Sequence, residues 1–183
     1  MKVVTGSRLP VVDRLRSATS ELHRRIEASL DIVARLSDSA VRPRLIRKYA
    51  ALHIPAEASL GRYLADVQGL DFRCRSRAPL LLRFAGKAAL PTFPLPASRG
   101  EALGMLYVLE GSTLGGRLIL RMLAARGVED PDLAFLDPYG AETGRRWRSF
   151  LLVLSREIDD EDEIAEACRG ARSGFCHAER LLS

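Results

Sequence analysis

The stretch from Leu103 to Met122, LGMLYVLEGSTLGGRLILRM, limits the possible folds of this chain more than any other. Apolar residues recur in it at spacings of three and four with no proline, which predicts one long helix. Its middle nevertheless carries Gly111, Gly115 and Gly116. An interior glycine costs a helix up to ~1 kcal/mol relative to alanine, so the set costs roughly 2–3 kcal/mol that another interaction must offset. Gly111 and Gly115 lie one turn apart on one face, where a second helix can pack closely. Glycine beside Ser112 can instead loosen the hydrogen-bond ladder and kink the helix. A flat ligand lying across the bare backbone is the third arrangement, and the stretch alone leaves all three open.

The 183 residues suffice for one domain with a sizeable core. A loose N-terminal arm is expected over residues 1–11 and a single domain over 12–183. The hydrophobic fraction of 47% is ordinary for a globular chain. No apolar run approaches the ~18 residues of a transmembrane helix, so no membrane association is expected. The opening MKVVTGSRLP lacks the apolar stretch of a signal peptide, which makes the cytoplasm the expected location. A net charge of +5 comes with dispersed basic residues and only 6% aromatics, a pattern that argues against a nucleic-acid surface and suits an anionic small ligand. Cys74, Cys168 and Cys176 form no CxxC pair, so reduced, partly buried thiols are expected in place of a disulfide framework or zinc site.

Taken in order, Val12, Leu15, Leu22, Ile26 and Leu30 form one apolar stripe and predict a first helix, with Asp13 at its positive end. A second helix is expected after a cap at Asp38 or Ser39, with Pro43 in its first turn, running to about Val67 and kinked at Pro55. A third is expected over residues 78–88, before Pro91, Pro94 and Pro96 force a loop. Ser98 to Glu101 has the capping-box pattern, so the glycine-bearing helix starts there, and Gly127 ends it. Thr143 can cap a helix whose apolar face is Trp147, Phe150, Leu151 and Leu154. The acidic run at 159–163 suits the start of a last helix containing Phe175 and Leu182 as core residues. No segment alternates as a strand does. The expected class is all-α, with six or seven helices.

His23 lies beside the first stripe with Glu27 one turn on, where the carboxylate can reach the imidazole. Arg16 is two turns back on the same face, roughly 10 Å along the axis. A histidine so placed is either packed with its hydrogen bond satisfied, or an axial metal ligand whose other nitrogen is oriented by Glu27. In the second case Arg16 is placed to hold the acidic edge of a planar cofactor. His53 reads as structural or as a reserve ligand, and His177 as a surface or core residue.

A planar metal macrocycle between the histidine helix and the glycine helix accounts for both features. The segments LRSATSELHRRIE at 15–27, LYVLEGSTLGG at 106–116, PYGAETGRRWRSFL at 138–151 and the closing FCHAERLL resemble the heme oxygenases, in particular the compact bacterial type sometimes paired with bacterial phytochromes. The resemblance implies a single-domain helical bundle with heme b held between a proximal helix and a kinked distal helix. It makes His23 the iron ligand, with Glu27 orienting it, and puts Gly111, Ser112, Gly115 and Gly116 on the distal side. It assigns Arg16 and Tyr107 to the heme propionates and, more loosely, Arg148 to the heme edge. It implies oxidation of heme by O2 to biliverdin, carbon monoxide and ferrous iron, with electrons from a ferredoxin or reductase and a bacterial phytochrome as a possible partner. A histidine ligand suits this chemistry, since a thiolate favours cleavage of the O–O bond.

Many members of that family carry aspartate after the first distal glycine, where this chain has Ser112 followed by Thr113. The compact bacterial type also has serine there. Ser112, Thr113 and Arg83 are the candidates for proton relay. The alternative functions are a non-catalytic heme sensor or carrier, which the serine leaves open, and a helical partner-binding protein whose glycines serve packing alone.

Overall fold

The computed structural model describes residues 10–86 and 89–183; most of the expected N-terminal arm lies outside them. Helix α1 spans Pro10–Leu30, beginning two residues before the expected start, and buries Val11, Val12, Leu15 and Leu30. It stops because Asp31 turns into the left-handed region at φ 35° and its side chain caps the short α2, Ile32–Ser37. The sequence pattern assigns no helix to these residues. Helix α3, Arg42–Leu64, has Pro43 in its first turn and continues through Pro55. Val41, and not Asp38 or Ser39, is its N-cap.

The expected third helix is shorter than its pattern: α4 covers only Ala78–Leu81, followed by a 3-10 turn at Leu82–Phe84. Gly86 at φ +72° ends the turn, and positions 87–88 lie outside the described residues. The capping box forms as expected. Ser98 accepts from the Glu101 amide at 3.2 Å while Glu101 accepts from Ala97 at 2.9 Å, and α5 then runs uninterrupted over Arg99–Ala124. Gly127, at φ +74°, follows its end. After 3-10 turns at Pro131–Leu136 and Gly140–Glu142 come α6, Thr143–Glu157, and α7, Glu161–Leu182. Thr143 is the first residue of α6 and bonds back to Asp137 and Gly140; it does not cap the helix. No strand occurs among the described residues.

The core is organised by the α5–α7 pair. A methyl group at Gly104 would lie 1.9 Å from the Ala167 carbonyl oxygen, and one at Gly170 would lie 2.0 Å from that of Glu101. Two helices this close have backbone against backbone, which only glycine permits. Helix α1 lies across α7 and is tied to it by the paired bonds of Arg25 to Glu179 at 2.5 and 2.6 Å. All three cysteines are free thiols, with Cys74 and Cys176 exposed where partial burial was expected. Among the described residues no helix is long and apolar enough to cross a membrane.

Two histidines are sealed into this frame. His53 on α3 is 2% exposed, and burial together with the Arg77 guanidinium holds its pKa well below the ordinary 6.5. His177 on α7 packs edge-on against Phe93 at 5.1 Å; burial and Arg180 lower its pKa in the same direction.

Two stability measurements follow. Gly104→Ala should lower the free energy of unfolding by about 3 kcal/mol or more in urea titrations, because the overlap falls on backbone that cannot step aside and outweighs the gain of up to ~1 kcal/mol in helix propensity. The second concerns pH. The unfolded chain binds protons at His53 and His177 near the ordinary 6.5 while the folded chain resists them, so stability is held above that pH and lost below it. The urea midpoint should therefore fall from about pH 6.5 downward, His53 contributing at most ~1.4 kcal/mol per pH unit, and His53→Gln should flatten the slope.

Candidate active site

A cavity of about 650 Å³ opens between α1 and α5, with α3, α6 and α7 completing its walls. Its volume lies within the range of ~300–1,000 Å³ typical of small-molecule sites. On the α1 side stand Arg16, His23, Arg24 and Glu27, which the amphipathic pattern sets beside the buried stripe of Leu15 and Leu30. The His23 Nδ1 lies 3.2 Å from a Glu27 oxygen across one helical turn. That leaves Nε2 as the ring nitrogen able to accept a ligand bond. Arg16 sits beside the Tyr107 phenol, whose pKa is raised by burial and partly pulled back by the guanidinium.

On the α5 side the glycines divide by role. Gly115 has nothing within 4 Å of where a Cβ would stand, and Gly111 meets only the Trp147 ring at 3.7 Å. Gly115 therefore turns bare backbone to the cavity, while Gly111 is covered by Trp147 of α6. Gly116 also borders the cavity but answers to packing, since a Cβ there would lie 2.0 Å from the Leu136 carbonyl oxygen. Two of the arrangements open at the sequence level thus coexist on one helix.

Ser112 faces the cavity and uses both sides of its hydroxyl. It donates to the Leu109 carbonyl at 2.7 Å and accepts from Arg77 Nη1 at 3.1 Å. Arg77, 3% exposed, also donates to the Leu109 carbonyl through Nη2 and lies 3.3 Å from His53 Nε2. With the guanidinium as donor, the His53 ring carries its proton on Nδ1; Tyr49 stacks on that ring at 6.3 Å. The segment bearing Arg77 is pinned by Glu57 of α3, which accepts from the Arg77 and Ala78 amides at 2.7 and 3.1 Å and from the Ser76 hydroxyl. Behind α5, the buried Glu110 joins Arg75 to the Tyr139 hydroxyl. Burial first, then Glu110, raises the Tyr139 pKa.

The structure thus brings His23, Glu27, Arg16, Tyr107, Gly111, Ser112, Gly115 and Gly116 around one cavity. It sets three other candidates apart. Thr113 is buried with its hydroxyl turned back to the Glu110 carbonyl at 2.7 Å. Arg148 is exposed on α6, where the cavity is lined by its neighbour Trp147. Arg83 is exposed and paired with Asp132. The cationic group beside Ser112 is Arg77, which the sequence reading missed: it lies in an irregular stretch whose direction only the tertiary fold fixes. His53 stands in the cavity wall as well, with its ring engaged by Arg77.

The chain is 35% identical over 153 residues to a heme oxygenase of Xanthomonas campestris pv. campestris (strain 8004), a match covering 80% of this chain and 91% of that protein. No family model matches the sequence. Among solved structures, the NO- and CO-bound heme oxygenase from Neisseria meningitidis matches with a TM-score of 0.74 at 19% identity, covering 94% of this chain and 89% of that one. The structural likeness carries the fold, and the sequence likeness over most of both chains carries the family. On these grounds the chain belongs to the heme oxygenase family of enzymes.

Proposed function

We propose that this heme oxygenase binds heme b in the cavity between α1 and α5, with His23 Nε2 as the iron ligand. One observation carries the reading: a histidine with its other nitrogen paired to Glu27 and, in the opposite wall, a glycine face with open space at Gly115. The residues present fit such a group. A single imidazole nitrogen is available on α1, the walls are largely apolar, and Arg16, Arg24 and Tyr107 supply cationic and hydrogen-bonding partners for carboxylates. Bound heme supplies the iron that activates dioxygen and is itself oxidised, giving biliverdin, carbon monoxide and ferrous iron. Electrons come from an external ferredoxin or reductase. A bacterial phytochrome, implied by the sequence resemblance, is the candidate consumer of the product.

Each side chain then has a defined task. Glu27, 3.2 Å from Nδ1, pairs with that nitrogen and so selects which nitrogen would face iron. Arg16 and Tyr107 hold the propionate edge. Gly111 and Gly115, which carry no side chain, would leave room beside bound heme for a small gas molecule, most of it at Gly115. Ser112 cannot act as an acid near neutral pH, and its proton is already directed to Leu109. It serves as an acceptor that positions water, while Arg77 holds its oxygen in place. Protons reach the site from solvent through that water. Thr113 and Arg148 have supporting places outside this set.

His23→Ala should abolish the absorption features of histidine-ligated heme, and added imidazole should restore them. The assignment fails if His53→Ala or His177→Ala has this effect while His23→Ala does not.

Turnover tests the activity. With a ferredoxin system and catalase present, the hemin complex should yield biliverdin identified by chromatography. Ser112→Ala should slow this roughly 5- to 30-fold, the equivalent of about 1–2 kcal/mol for one hydrogen bond, without stopping it. Heme that stays intact in the unsubstituted protein would replace the enzyme reading with that of a sensor or carrier.

A further inference from the structure

Glu27 holds His23 only from their common helix. Both side chains are more than half exposed, at 58% and 67%, and their contact is 3.2 Å. An exposed pair of this kind orients weakly, and the imidazole's own side-chain torsion is broad. Glu27 therefore selects the nitrogen that faces the cavity but does not fix the plane of the ring.

A second contact comes from another helix. Phe175 on α7 meets the His23 ring edge-on, with centroids 5.9 Å apart and planes at 73°. Phe175 is buried and forms part of the cavity wall. Its backbone is held firmly, because α7 touches α5 backbone to backbone at Gly104 and Gly170. It is also tied to α1 close to the same place. Arg25, two residues past His23, grips Glu179, four residues past Phe175, and Arg172 donates to the Ala18 carbonyl at 3.2 Å. Turning the imidazole about its bond to Cβ would either press it into Phe175 or open a gap beside it.

We propose that Phe175 is the positioning residue that sets the plane of the His23 imidazole, so that α7 refers the iron ligand on one wall to the glycine helix on the other. The inference rests on His23 being the ligand. The plane of an axial imidazole fixes the orientation of the magnetic axes of low-spin heme, which makes the proposal visible without turnover.

The experiment has one arm without iron and one with it. In the heme-free protein, nuclear Overhauser effects should connect the His23 and Phe175 ring protons; their absence overturns the proposal whether or not any variant folds. In the cyanide complex of the hemin-loaded protein, Phe175→Leu should redistribute the heme methyl shifts, which follow the direction of the magnetic axes, with hemin affinity kept within about tenfold. Phe175→Tyr, which keeps the ring, should leave the methyl shift pattern as it is. Leu182→Ala, which loosens the same wall from the same helix, should also leave the order of the methyl shifts in place. Unchanged spectra in Phe175→Leu, or an equal change in Leu182→Ala, would overturn the proposal. Loss of the ligand assignment itself would show separately, as histidine ligation persisting in His23→Ala, and would leave the iron-free arm intact.

Discussion

The backbone contact between α5 and α7 governs the geometry of the whole site. Gly104 and Gly170 let the two helices meet carbonyl against Cα, closer than any side chain would allow. Helix α7 then acts as a fixed reference. It carries α1 through Arg25 and Glu179, and so sets the separation between the histidine wall and the glycine wall. Interiors at this density do not deform continuously, so a shift of α7 would have to be a change of packing and not a gradual slide.

The polar groups around the cavity follow the same division. On the α1 side the charged and ionisable ones are exposed and loosely held, as His23 and Glu27 are. Opposite them Arg77 and His53 are buried and engaged, and Ser112 of α5, though exposed, is hydrogen-bonded on both sides of its hydroxyl. Arg77 reaches Ser112, Leu109 and His53 at once, and its own segment hangs from Glu57. A buried guanidinium is tolerable only when its donors are satisfied and opposite charge is near. Burial lowers the Arg77 pKa while Glu110, Tyr139 and Glu57 counteract it, which describes such a setting.

The all-α class, the capping box at Ser98 and the pairing of His23 with Glu27 were legible because each is a local pattern with a helical period. The glycines were legible as an anomaly, but their roles were not. Gly111, Gly115 and Gly116 look alike in sequence, and only the position of Leu136 tells the packing glycine from the open ones. Gly104 and Gly170 were passed over because their partners lie on another helix. Arg77 was missed for a related reason: no periodicity operates in the stretch that carries it, and its direction depends on Glu57, twenty residues earlier. The third helix was overextended, since an apolar run at 78–88 reads as helix until Gly86 takes a positive φ.

The cavity also bears on how long the folded chain lasts. An opening of about 650 Å³ walled by Leu52, Val108, Leu109, Ile119 and Phe175 is apolar surface that the protein alone leaves uncovered. A molecule that fills it adds the missing burial and favours the folded state by mass action, by about 2.7 kcal/mol at a free concentration one hundred times the dissociation constant. Resistance of the chain to unfolding and proteolysis is thereby tied to the molecule that fills the cavity.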